Sequence, residues 1–209
     1  MSGFPGPLAE LPLIAILRGV PPSDAAAVGQ ALVEAGFRAI EVPLNSPEPF
    51  ESIRILAEAH GDHALVGAGT VLGIPDAGRV AEAGGRLVVM PHSDRAVIEE
   101  TKRLGLLSVP GVATPTEAFA ALAAGADALK LFPGEALPPA VVKAWRAVLP
   151  RDRWLIPVGG IGRDSFAPYL AAGADGFGIG SALYKPGMAA DDVGARAREF
   201  VAAYLEARA

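Results

Sequence analysis

The chain has 209 residues, 51% of them hydrophobic, no cysteine and a net charge of −5. That is enough chain for one domain with its own core, too apolar for disorder, and too acidic for a nucleic-acid or anionic-membrane footprint. Lack of cysteine excludes disulfides, thiolate metal sites and cysteine nucleophiles.

Residues 1–10 read as a short extension of a single domain spanning 1–209. They carry no cationic segment, and the apolar run from Leu11 to Leu17 stops at Arg18, too short for a secretory core. No stretch approaches the ~18 consecutive apolar residues of a membrane helix, so a cytoplasmic protein is expected. The first strand is predicted over 13–17. Seven more follow over 38–42, 64–67, 86–90, 106–109, 127–131, 155–158 and 176–179. A repeat marks several of them, as in Ala35-Gly36-Phe37-Arg38-Ala39-Ile40-Glu41 and Ala124-Gly125-Ala126-Asp127-Ala128-Leu129-Lys130. An Ala-rich helix ends at Gly, which supplies a left-handed cap, and a short apolar strand follows. Helices are predicted to open at Ser23-Asp24, at Ser46-Pro47-Glu48 and at Thr114-Pro115-Thr116-Glu117, with a last one over about 189–207. Eight helix–strand units predict an α/β fold, a (β/α)8 TIM barrel. The alternative, an open doubly wound sheet, lacks a Gly-x-Gly-x-x-Gly turn after the first strand.

A barrel of this kind gathers its site at the C-terminal ends of the strands. The residues closing those strands include Arg18, Glu41, Thr70, Pro91, Lys130, Gly159-Gly160 and Gly180-Ser181. One Arg, one Glu, one Lys and two glycine-rich turns on one rim suit a small anionic molecule. Strand alternation turns Ala128 and Lys130 inward and Leu129 and Leu131 toward the helices. Burial lowers a lysine's pKa and makes its amine a Schiff-base nucleophile; the spacing equally fits a structural ion pair or a phosphate contact. Glu41 points inward by the same alternation, as a proton shuttle or as a counter-ion for Lys130 or Arg18. Arg18 offers a bidentate fork for a carboxylate, or a rim salt bridge. Thr70 could donate its hydroxyl to substrate or cap a helix. The glycine turns after the seventh and eighth strands read as a phosphate site. The three histidines show no ligand spacing, and no metal site is expected.

Five segments carry a resemblance. They are Leu13-Ile14-Ala15-Ile16-Leu17-Arg18-Gly19, Ile40-Glu41-Val42-Pro43-Leu44-Asn45-Ser46-Pro47, Val66-Gly67-Ala68-Gly69-Thr70-Val71-Leu72, Leu129-Lys130-Leu131-Phe132-Pro133 and Val158-Gly159-Gly160. From about Leu11 onward the chain resembles the class I aldolases that cleave 2-keto-3-deoxy-6-phospho sugar acids. The resemblance implies a (β/α)8 barrel, commonly a homotrimer, with no cofactor. It implies a Schiff base on Lys130 and acid/base work by Glu41. Arg18, Thr70 and Pro91 match positions around the pyruvate half, with Phe132 in the lysine motif. Gly159, Gly160, Gly180 and Ser181 match phosphate-contacting positions. Gluconate-type members carry Arg where this chain has Asn45, in a Thr-Leu-Arg-Thr context. Here the stretch resembles the galactonate-type branch, so the galactonate compound is the expected substrate and the gluconate epimer the alternative. The remoter alternatives are a phosphosugar isomerase or epimerase and a non-catalytic phosphometabolite-binding barrel.

Overall fold

The computed structural model describes residues 7–209; the first six residues of the expected extension lie outside them. The repeat noted in the sequence becomes a curled, all-parallel sheet arrangement wrapped by helices. Six strands pair in the order β5-β4-β3-β2-β1-β9. They are β1 (Leu13–Ile16), β2 (Ala39–Pro43), β3 (Leu65–Gly69), β4 (Leu87–Val89), β5 (Leu107–Val109) and β9 (Phe177–Ile179). A second sheet holds β6 (Gly111–Val112), β7 (Ala128–Leu131) and β8 (Trp154–Pro157) in that order.

The expected fifth strand, 106–109, is β5, and a further short strand, β6, follows it outside the expected range. Pro110 separates β5 from β6, and a proline has no N–H to donate to a ladder. β5 pairs with β4, while β6 pairs with β7. Bonds cross both seams between the sheets. Lys130 N–H donates to Pro110 O at 2.9 Å, Asp127 N–H to Ser108 O at 3.0 Å, and Val158 bridges Gly178 in parallel.

The helices are α2 (Pro22–Ala35), α3 (Pro49–His60), α4 (Ile74–Glu82), α5 (Arg95–Arg103), α6 (Pro115–Ala123), α7 (Pro139–Arg146), α8 (Phe166–Ala171) and α9 (Ala190–Arg208). Proline stands in the first turn of α2, α3, α4, α6 and α7, where its missing N–H costs little. At α6 the expected start is a full capping box: Glu117 N–H donates to Thr114 Oγ1, and Thr114 N–H to Glu117 Oε2. The glycines of the repeat, Gly36 and Gly125 among them, do take left-handed φ values, 108° and 100°.

Alternation sorts the core into two clusters. Leu13, Ile40, Val42, Leu129, Leu131 and Leu155 face the helices. Ile14, Ile16, Ala39, Val109, Ala128 and Ile156 meet inside the curl. Residues 7–10 of the expected extension fold as a helical turn, α1 (Pro7–Glu10), and its Leu8 is fully buried in the inner cluster. Part of the stretch expected as a short extension thus belongs to the inner core. No helix of the described residues is long and apolar enough to cross a membrane.

Candidate active site

Lys130 is the third residue of β7, in register with Gly111 on one side and Ile156 on the other. It is 6% exposed. Its Nζ lies 4.6 Å from the centroid of the Phe132 ring. Burial pulls the Lys130 pKa below its ordinary value; the Glu41 charge pushes it back up, and Arg18 pulls it further down. Glu41, the middle residue of β2, is 2% exposed. Burial raises its carboxyl to about 7, against the opposing pull of Lys130 and then Arg18. Among the described residues its Oε2 has no hydrogen-bond partner. An acid and an amine are thus both buried at one site, and burial disfavours the charged form of each.

Gly69 makes room for this arrangement. It ends β3, and a Cβ there would overlap the Glu41 carboxylate. The residue after it, Thr70, takes a left-handed φ of 56°, which is uncommon for a non-glycine residue.

Arg18, Glu41, Lys130 and Phe132 line one cavity of about 720 Å³ at the C-terminal ends of the strands. Gly159, Gly160, Gly180 and Ser181 line the same cavity. Eight of the eleven site residues expected from sequence are therefore brought together. Pro91 borders a smaller neighbouring cavity of about 350 Å³, which Phe132 also reaches. Thr70 lines neither cavity, and nor does Asn45, whose Oδ1 instead accepts a hydrogen bond from Arg18 Nη1 at 2.6 Å.

The glycine turns have the backbone expected of an anion site. Gly159 and Gly160 have φ values of 106° and 64°, so consecutive peptide N–H groups can point at one anion. After Gly180, Leu183 and Tyr184 donate N–H bonds back to Gly180 O at 2.9 and 3.0 Å. Such a turn leaves its first N–H groups without partners inside it.

Sequence reading missed four neighbours. Gly69 ends β3, and its contact with Glu41 crosses between strands. Glu135 stands over Gly159 and Gly160, where added Cβ atoms would meet its side chain. Tyr184 is buried with an unpartnered hydroxyl, and Lys185 is exposed; both line the large cavity. Their only sequence signal is position, one helical turn beyond Gly180-Ser181. Among the described residues no group of three or more His, Asp and Glu could hold a metal ion.

The family model for KDPG and KHG aldolase matches residues 6–197. The chain is 51% identical over 204 residues to the probable 2-dehydro-3-deoxy-6-phosphogalactonate aldolase of Rhizobium meliloti, covering 98% of this chain and 96% of that one. It is 46% identical over 198 residues to the 2-dehydro-3-deoxy-6-phosphogalactonate aldolase of Escherichia coli, covering 95% and 97%. A solved structure described as native KDPGal superposes with a TM-score of 0.95 at 44% identity, covering 99% of this chain and 98% of the other.

Proposed function

We propose, from the premise that this chain belongs to the KDPG and KHG aldolase family, that Lys130 condenses with the ketone of a phosphorylated keto-deoxy sugar acid and so allows a carbon–carbon bond to break. The protein is an aldolase, a carbon–carbon lyase. It cleaves 2-dehydro-3-deoxy-6-phosphogalactonate to pyruvate and D-glyceraldehyde 3-phosphate, as the names of its near full-length relatives support.

One observation carries the chemistry: a lysine 6% exposed, with its pKa lowered by burial, in the cavity that Glu41 also lines. An ordinary lysine is neutral in only about one molecule in 2,500 at pH 7, and each unit of lowering raises that fraction tenfold. The neutral amine attacks C2 of the substrate. Glu41, titrating near 7, can give a proton as the carbinolamine loses water and take one in the next step. It takes the proton of the C4 hydroxyl, directly or through water, while the C3–C4 bond breaks and its electrons flow into the iminium. Glyceraldehyde 3-phosphate leaves, and the pyruvate enamine is protonated and hydrolysed from Lys130. Arg18 holds the carboxylate by its fork. The turns at Gly159-Gly160 and Gly180-Ser181 hold the phosphate, and binding it far from the breaking bond orients that bond. Phe132 walls the amine, and Pro91 borders the neighbouring cavity that Phe132 also reaches.

The same reading makes the chain a single domain and closes its two sheets into one (β/α)8 barrel. The bonds at Pro110 and the Val158–Gly178 bridge support closure. It also takes the protein as a cytoplasmic homotrimer. In that assembly Leu72 and Ile74, 58% and 46% exposed beside each other after β3, would find cover.

A coupled assay of pyruvate release from both C4 epimers tests the function. Faster release from the galactonate compound is expected. Equal rates would remove the epimer preference and leave the chemistry, whereas no pyruvate from either compound would defeat the aldolase reading.

A further inference from the structure

Asn45 lies off the cavity, yet it grips a residue that lines it: Arg18 Nη1 donates to Asn45 Oδ1 at 2.6 Å. The next pair repeats the contact through the backbone, where Gly19 N–H donates to Ser46 Oγ at 2.9 Å. The loop bearing both acceptors is itself fixed. Leu44 N–H donates to Gly69 O at 2.8 Å, Ser46 N–H to Pro43 O at 2.9 Å, and Ser46 is buried. The donating loop is fixed as well. Leu17 N–H donates to Glu41 O at 2.9 Å, and Gly19, at φ 82°, packs where Pro186 leaves no room for a Cβ. The Arg18 and Asn45 side chains are both exposed and meet at the rim. A free arginine side chain samples many rotamers, and fixing it before the ligand arrives lowers the cost of binding.

We infer that Asn45 is a positioning residue: it sets the Arg18 guanidinium to receive the substrate carboxylate and touches no substrate itself. The inference rests on the proposed role of Arg18 as the carboxylate's partner. A guanidinium has five N–H donors, and one bond from Nη1 leaves the Nε–Nη2 edge for both carboxylate oxygens. A neutral amide suits the task because it orients the cation without neutralising it. An aspartate in its place would orient Arg18 and compete with substrate for its charge.

Borohydride trapping of the Lys130 imine reads this directly. The pyruvate concentration for half-maximal trapping reports carboxylate binding. Acetone, a ketone without a carboxylate, makes no ion pair with Arg18. Asn45→Ala is expected to raise the half-trapping pyruvate concentration about fivefold, the loss of one oriented hydrogen bond, and to leave acetone trapping and kcat unchanged. Added to Arg18→Met, the same substitution is expected to do nothing further. Three results would each overturn the inference alone: an unchanged pyruvate requirement in Asn45→Ala, an equal loss with acetone, or additive losses in the double variant. If the unsubstituted protein is not trapped by pyruvate at all, the Schiff-base reading falls and takes this inference with it.

Discussion

Lys102 and Lys130 each have a carboxylate for a neighbour, and the fold treats the two pairs in opposite ways. Near the N-terminal ends of the strands, Lys102 Nζ donates to both oxygens of Asp127, at 2.9 and 2.7 Å, and to Leu106 O at 3.1 Å. Asp127 Oδ2 also accepts from Ser108 N–H at 2.7 Å. The arrangement recurs at Asp175, whose Oδ2 accepts from Arg146 and from Leu155 N–H. Two residues further along β7 from Ala128, Lys130 is buried more deeply and Glu41 keeps a bare oxygen. Paired charges at one end tie strand starts to helices. Buried, under-bonded groups at the other end cost free energy. The molecule keeps that cost where a proton and an electron pair must move.

The sharpest way to break this contrast is Lys130→Met. Turnover is expected to fall on the order of 10⁴-fold or more, as for a lost nucleophile. The thermal midpoint should hold or rise, because an apolar side chain of similar length replaces a buried amine. A steady-state assay and a melting curve read both.

Glu41→Gln should lower kcat by about 10²- to 10⁴-fold, the usual worth of a positioned acid/base. It should also change how stability depends on pH. The folded carboxyl titrates at about 7 against an ordinary 4.5, so between those values the native state binds more protons than the unfolded state. Stability from neutral Glu41 is full below pH 4.5 and is lost as pH rises through 7, by roughly 3 kcal/mol in all. Urea unfolding at pH 4.5 and pH 8 should show that difference in the native protein and not in the glutamine variant.

Gly69→Ala sharpens the contrast without replacing a titratable group. The new Cβ must displace the Glu41 carboxylate, so kcat should fall about 100-fold with a stability loss of about 1–3 kcal/mol. Asp127→Ala is the converse. It strands the Lys102 ammonium and the Ser108 N–H. Chemical denaturation should show a loss of about 2 kcal/mol while kcat stays level.

Local pattern was legible in the sequence wherever it had a period. Alternation in Ala128-Leu129-Lys130-Leu131 assigned the faces that the two core clusters show. The Thr114–Glu117 signature gave a capping box. Two short pieces escaped. β6 has two residues, too few for a period, and Leu8 lies in a proline-rich stretch that resembles a tail. Lys130 and Glu41 could be found because each is a charged residue inside an apolar strand. The contacts of Gly69 with Glu41 and of Asn45 with Arg18 could not, because each joins segments far apart in sequence and leaves no mark within either.

The central claim is that the amine of Lys130, and not another, condenses with the ketone. Borohydride reduction with pyruvate followed by peptide mapping measures it. The account predicts a stable adduct on the peptide bearing Lys130, lost in Lys130→Met. An adduct carried instead by Lys102 or another surface lysine, or a Lys130→Met protein that still splits the sugar acid at the native rate, would contradict it.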